Sequence, residues 1–161
     1  MIIGIITVHN GQNYGASLQA YALVKKLRNV GFDAYLIDYR APKIEERLSS
    51  YRKKEKNNSL RNVLKNIRLE CSELLFNKSG HLILVTKRFE EFHKLILDTH
   101  SGEYHVCDEM SVLNKQYDAF ICGSDQIWNP NITDLDDSFF LRFADESSKR
   151  IAYAPSLGMR S

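Results

Sequence analysis

Residues 2–8 read Ile2-Ile3-Gly4-Ile5-Ile6-Thr7-Val8, a nearly unbroken apolar, β-branched run. A run without polar alternation belongs to a strand covered on both faces, as in a parallel sheet flanked by helices. Beyond the polar stretch His9-Asn10-Gly11-Gln12-Asn13, apolar residues recur at Ala16, Ala20, Leu23, Val24, Leu27 and Val30, with Lys25, Lys26 and Asn29 on the opposite side. That spacing predicts an amphipathic helix, and Gly31 stands where helices commonly end in the left-handed conformation. Residues 33–39, containing Ala34-Tyr35-Leu36-Ile37, then predict a second strand. Strand, helix and strand in about 40 residues make a βαβ unit.

Further along, Tyr117-Asp118-Ala119-Phe120-Ile121-Cys122 predicts a short buried strand ending at Gly123 in a polar turn, and Arg150-Ile151-Ala152-Tyr153-Ala154 predicts a fourth parallel strand. Between the second and third strands the composition changes. Residues 40–68 hold ten Lys or Arg against three Glu, and residues 51–59 are nearly free of aliphatic side chains. The expectation is a basic, solvated and mobile insertion near 43–60, with a phosphate-binding arm as the alternative. Helical spacing returns at Leu60, Val63, Leu64, Ile67 and Leu74, and again at Val85, Phe89, Phe92 and Ile96, which predicts two helices. The fold class is therefore α/β, a Rossmann-like parallel sheet with flanking helices.

The 161 residues suit one domain rather than two. With 43% hydrophobic and 26% charged residues the composition is that of a folded chain, and a net charge of +2 gives no field that demands nucleic acid or an anionic membrane. No apolar stretch approaches the roughly 20 residues needed to span a bilayer, and residues 1–7 lack the basic and apolar regions of a signal peptide. A cytoplasmic protein with no integral membrane segment is expected. Cys71, Cys107 and Cys122 are odd in number and form no C-x-x-C pair, so reduced thiols are expected.

Ligands of an open α/β sheet bind beyond the carboxyl ends of its strands. The loop from His9 to Ala16 enters a helix N-terminus, where free N–H groups favour an anion or a sugar hydroxyl. It matches neither G-x-G-x-x-G nor a P-loop. Asn13, Tyr14 and Gly15 are binding candidates there, with helix capping by Asn13 the competing role. The second loop, Gly123-Ser124-Asp125-Gln126-Ile127-Trp128-Asn129-Pro130-Asn131, brings a carboxylate, amides and the sole Trp directly after a strand. That set suits a sugar: Ser124, Asp125 and Gln126 bond hydroxyls and Trp128 stacks on C–H faces, while Asp125 is a candidate general base. Against this, Asp125 or Ser124 caps a turn and Trp128 packs with its N–H satisfied. A third segment, Pro155 to Gly158, follows the fourth strand. Of the five histidines only His9 directly follows a strand, so it alone has a catalytic address, and no H-x-x-x-H or H-E-x-x-H spacing supports a metal.

Five stretches together resemble the polysaccharide pyruvyl transferase family: Asn13-Tyr14-Gly15-Ala16-Ser17-Leu18-Gln19-Ala20-Tyr21-Ala22-Leu23, Ile37-Asp38-Tyr39-Arg40, Phe89 with Phe92, the block from Tyr117 to Pro130, and Ile151 to Gly158. Their order and spacing cover almost the whole chain. The resemblance implies the N-terminal, acceptor-side half of an enzyme similar to B-type glycosyltransferases, with the second domain absent and the isolated half inactive. It implies transfer of the enolpyruvyl-derived group of phosphoenolpyruvate to two hydroxyls of one sugar in a cell-surface polysaccharide or its lipid-linked precursor, releasing phosphate. No cofactor is implied beyond phosphoenolpyruvate as donor substrate, and a homo-oligomer is compatible with it. Asp125 becomes the candidate base, and His9, Asn13 and Gln126 the candidates for orienting the acceptor. Two alternatives stay open: an enzyme using a nucleotide sugar, and a non-catalytic sugar-binding module.

Overall fold

The strand β1 (Ile2–Ile6) is the centre of the molecule, because its two faces feed two separate cores. In the computed structural model, which describes residues 1–9, 13–47, 91–92 and 102–158, Ile3 and Ile5 pack on one face with Ala20, Leu23 and Val24 of the helix α1 (Tyr14–Asn29). Gly4 and Ile6 point to the other face. A side chain at position 4 would lie 3.0 Å from Ile37 Cδ1 and 3.1 Å from Phe120 Cδ1, so the glycine lets those two residues meet over the strand. The second core continues through Met110, Leu113, Phe139, Leu141 and Phe143.

The sheet has four parallel strands in the order β2-β1-β3-β4, with β2 spanning Asp33–Leu36, β3 Ala119–Asp125 and β4 Lys149–Pro155. The step from β1 to β2 runs one way across the sheet and the next two steps run the other way. Crossovers of one hand must then lie on opposite faces. Accordingly α1 covers one face, while Ile37, Tyr39, Met110 and Leu113 from the second connection and Ile127, Phe139 and Leu141 from the third fill the other.

Local chemistry sets the ends of α1. Asn13 caps it, its Oδ1 accepting from the N–H groups of Gly15 at 2.9 Å and Ala16 at 3.3 Å. At the other end Gly31 has φ +94°, its N–H donates to Arg28 O and that of Phe32 to Leu27 O, the paired pattern of a Schellman stop.

Three boundaries depart from the sequence reading. β1 ends at Ile6 instead of Val8, and β2 at Leu36, after which Tyr39 makes one isolated bridge with Tyr104. β3 does not turn at Gly123 but runs on to Asp125, pairing Gly123 with Tyr153 and Asp125 with Pro155. Gly123 makes this possible: at φ +112° it sits against the Tyr153 carbonyl, where any side chain would collide with backbone. The basic segment also begins in order, since residues 42–47 are helical, Ile44 packs on the core and the Arg47 guanidinium donates to Asn131 O. The rest of that segment and the two helices expected between 60 and 96 lie outside the described residues, apart from Glu91 and Phe92, which are helical. Among the described residues no helix is long and apolar enough to cross a membrane.

Candidate functional site

The chain changes direction across the sheet between β1 and β3, the position at which open α/β sheets bind ligands beyond the carboxyl ends of their strands. Thr7 and His9 come from the β1 end, Ser124 and Asp125 from β3, and the first turns of α1 stand over both. Thr7 is fully buried. Its hydroxyl donates to Ser124 O at 3.0 Å and accepts from Gln19 Nε2 at 2.9 Å, while the Ser124 hydroxyl donates to Gln19 Oε1 at 2.7 Å. Three side chains from three elements thus close one ring of hydrogen bonds.

Beside that ring runs a line of ionisable side chains. His9, 1% exposed, has Nδ1 3.0 Å from Thr7 O and Nε2 3.3 Å from Asp38 Oδ1. A carbonyl only accepts, so Nδ1 carries the proton of the first contact, and the second is a hydrogen bond when Nε2 is protonated too. Asp38 also meets Arg40, with Nη2 3.4 Å from Oδ2, and Arg40 Nε lies 3.2 Å from Glu103 Oε2. His105 Nε2 ends the line 2.9 Å from Glu103 Oε1. Burial alone would raise the Asp38 carboxyl, but the hydrogen bond and charge of His9 and the Arg40 guanidinium outweigh it and hold it below its ordinary 3.8.

The backbone explains why these five side chains line up. Tyr104 N–H donates to Asp38 O at 2.9 Å and Arg40 N–H to Tyr104 O at 2.8 Å, so 103–105 lies beside 38–40 as a short parallel pair. Tyr39 points into the core, its hydroxyl donating to Asp136 Oδ2 at 2.5 Å. Period-two alternation then sends Asp38 and Arg40 to the opposite side.

Asp125 stands at the exposed end of β3 with φ +82°, a left-handed conformation that Asp tolerates better than most residues. Its Oδ1 accepts from Gln126 N–H at 2.7 Å, and its carbonyl accepts from Ser156 N–H at 3.0 Å. Oδ2 makes no hydrogen bond among the described residues, and the side chain belongs to an exposed residue. Next to it Asn129 Nδ2 donates to Gln126 Oε1 at 2.9 Å, and Gly158 at φ +62° lies flush against this amide pair.

The profile of the family "Polysaccharide pyruvyl transferase" matches residues 13–160. The chain belongs to the polysaccharide pyruvyl transferase family. No curated protein and no solved structure matches it. The family match contains α1, β2, β3, β4 and every residue of the ring and the charge line except Thr7 and His9, which precede it.

Within this pyruvyl transferase fold the sequence candidates separate. Ser124, Asp125 and Gln126 gather at the β3 end, but the Ser124 hydroxyl is committed to Gln19. His9, a candidate catalytic and acceptor-orienting residue, is buried, its ring lying against Thr7 O and the Asp38 carboxylate. Asn13 spends its Oδ1 on the cap, Gly15 supplies one of the capped N–H groups, and Tyr14 packs edge-on against Phe92 with centroids 5.4 Å apart. Trp128 donates its indole N–H to Phe139 O at 3.0 Å and stacks on Phe140 at 5.5 Å, so one ring face is taken by protein. Residues 10–12 of the first loop lie outside the described residues.

Sequence reasoning missed Thr7, Gln19, Asp38, Arg40, Glu103 and His105. Two signals were available. Asp38 and Arg40 directly follow a strand, the rule applied to the other loops, and Gln19 is a polar residue inside the i, i+3, i+4, i+7 stripe made by Ala16, Ala20 and Leu23.

Proposed function

We propose that this chain takes part in transfer of a pyruvyl ketal from phosphoenolpyruvate to two hydroxyls of one sugar of a cell-surface polysaccharide or its lipid-linked precursor. Family membership carries this reading. The exposed Asp125 carboxylate at the strand crossover is what favours an acceptor site there. In the reaction an acid protonates the enol carbon, the resulting cation at the adjacent carbon is captured by one sugar hydroxyl, phosphate departs, and the second hydroxyl closes the ketal. Two hydroxyl protons are lost: one is balanced by the proton gained at carbon and the other leaves with phosphate. Asp125 Oδ2 takes the proton of an attacking hydroxyl, and the Gln126 amide orients the diol beside it. The cationic groups that hold phosphoenolpyruvate belong, on this reading, to a second domain of a two-domain fold like that of B-type glycosyltransferases, working in the cytoplasm.

The test is phosphate release from phosphoenolpyruvate by the product of the complete reading frame, across galactose- and mannosamine-bearing acceptors. Release that depends on both substrates supports the proposal. An acceptor that binds without any phosphate release, with nucleotide freed from a nucleotide sugar instead, refutes it.

A further inference from the structure

We infer that Gln19 is a positioning residue for Asp125, acting through the closed ring it forms with Thr7 and Ser124. The inference rests on the proposed reaction for its kinetic arm only. Gln19 lies in the second turn of α1, far along the chain from residue 125, yet its amide bonds the side chains of both other members of the ring. Its Nε2 gives a proton to Thr7 Oγ1 and its Oε1 takes one from Ser124 Oγ. Thr7 in turn gives its proton to the Ser124 carbonyl. Ser124 is therefore held at both its hydroxyl and its carbonyl, and the peptide that begins at that carbonyl is the one that enters Asp125.

This hold is placed where the backbone has least intrinsic reason to stay. Gly123 and Asp125 have φ of +112° and +82°, so the residues flanking Ser124 both occupy the left-handed half of conformational space. The ring satisfies every hydroxyl proton of Thr7 and Ser124 and uses both ends of the Gln19 amide, and hydrogen bonds linked this way reinforce one another. A general base acts only when held within a fraction of an ångström of the proton it takes, so loosening the ring lowers turnover before it lowers binding.

The experiment compares Gln19→Leu, Gln19→Glu, Thr7→Val and Thr7→Ser in the complete protein. One readout is amide hydrogen exchange of the peptide spanning 123–127, which needs no activity. The other is kcat and KM for phosphate release. Gln19→Leu and Thr7→Val are expected to speed exchange at 123–127 about tenfold, the factor carried by one ordinary hydrogen bond, and to lower kcat about tenfold at unchanged KM. The double variant is expected to do no more than either single one, because the ring is already open. Thr7→Ser, which keeps the hydroxyl, restores both readouts, and Gln19→Glu, which keeps only the Ser124 bond, falls between. Unchanged exchange in Gln19→Leu and Thr7→Val, or a rise in KM without loss of kcat, overturns the inference. Should Gln19→Leu not fold, the Thr7 pair decides it alone. Absence of phosphate release by the unaltered protein overturns the reaction and leaves the exchange result to decide the positioning.

Discussion

Asp38→Asn removes one charge from the line that begins at His9 while keeping its shape, and the consequence can be worked from the contacts. An Asn amide at 38 can still hydrogen-bond His9 Nε2, donating or accepting as the ring requires, so what is lost is the carboxylate charge at that contact and its attraction to Arg40. Charge-assisted bonds contribute about 1.5–3 kcal/mol and neutral ones about 0.5–1.5. The Asp38 contacts are long, 3.3 and 3.4 Å, and its side chain keeps 20% exposure, which places the loss near the low end, about 1–1.5 kcal/mol at pH 7. For a chain of this size that is a fall of about 3–5 °C in Tm. Asp38→Leu, which leaves the buried His9 ring without its side-chain partner and Arg40 with Glu103 alone, costs more, about 2–3 kcal/mol. The pH dependence has a fixed sign. Because the folded carboxyl lies below its ordinary 3.8, the unfolded chain binds the proton first as pH falls, and the stabilisation is complete above about pH 5 and lost through and below 3.8. Urea unfolding followed by Trp128 fluorescence at pH 7, 5 and 3.5 measures this, and the wild-type and Asn curves must converge at the acid end. A gap equal at all three pH values refutes the coupling of Asp38 to His9 and Arg40.

Gly123→Ala is expected to cost about 3 kcal/mol or more, since it combines a left-handed φ with collision against the Tyr153 carbonyl, whereas Gly31→Ala, at φ +94° with nothing within 4 Å, costs about 1 kcal/mol; equal losses in denaturant titration would contradict the packing at Gly123. Burial pushes the Cys122 thiol up to about 11, so at pH 8 only about one molecule in a thousand carries the thiolate, and mass spectrometry should find Cys122 unalkylated by iodoacetamide in the native protein and alkylated in urea. Asp125→Asn keeps both the tolerance for φ +82° and the bond to Gln126 N–H, so denaturation should shift by less than about 0.5 kcal/mol while phosphate release falls about a hundredfold. Turnover unchanged by that substitution removes Asp125 as the base.

Much of the fold was legible because it is written in short periods. The β-branched run at 2–8, the apolar stripe from Ala16 to Leu27 and the stop at Gly31 each depend on neighbours within a turn or two, and each is found close to where its pattern puts it. The boundaries that moved are those decided by partners distant in sequence. β3 runs past Gly123 because β4 offers Tyr153 and Pro155 to pair with, and nothing local to Gly123 announces this. The site divides along the same line. Asp125 was legible as a polar residue after a strand, but the burial of His9 and the commitment of Ser124 depend on Asp38 and Gln19, which reach them across 29 and 105 residues of chain.

The roles proposed for these residues follow the same division. A carboxylate proposed to take a proton from a sugar must be exposed and must have an oxygen to spare, and Asp125 is exposed with Oδ2 unbonded among the described residues. Its side chain is held at one oxygen only, Oδ1 by Gln126 N–H, since each further bond would remove acceptor capacity. Rigidity has to come from the backbone on either side: from the ring at Ser124, and from Ser156 N–H on the Asp125 carbonyl. The line from His9 to His105 serves a different purpose: it starts at the buried His9, runs outward through Asp38 and Arg40 to the exposed Glu103 and His105, and ties the segments after β1 and β2 to residues 103–105. On this argument His9 and Asp38 act on stability and its pH dependence first, and on turnover only through geometry, whereas Asp125 does the reverse.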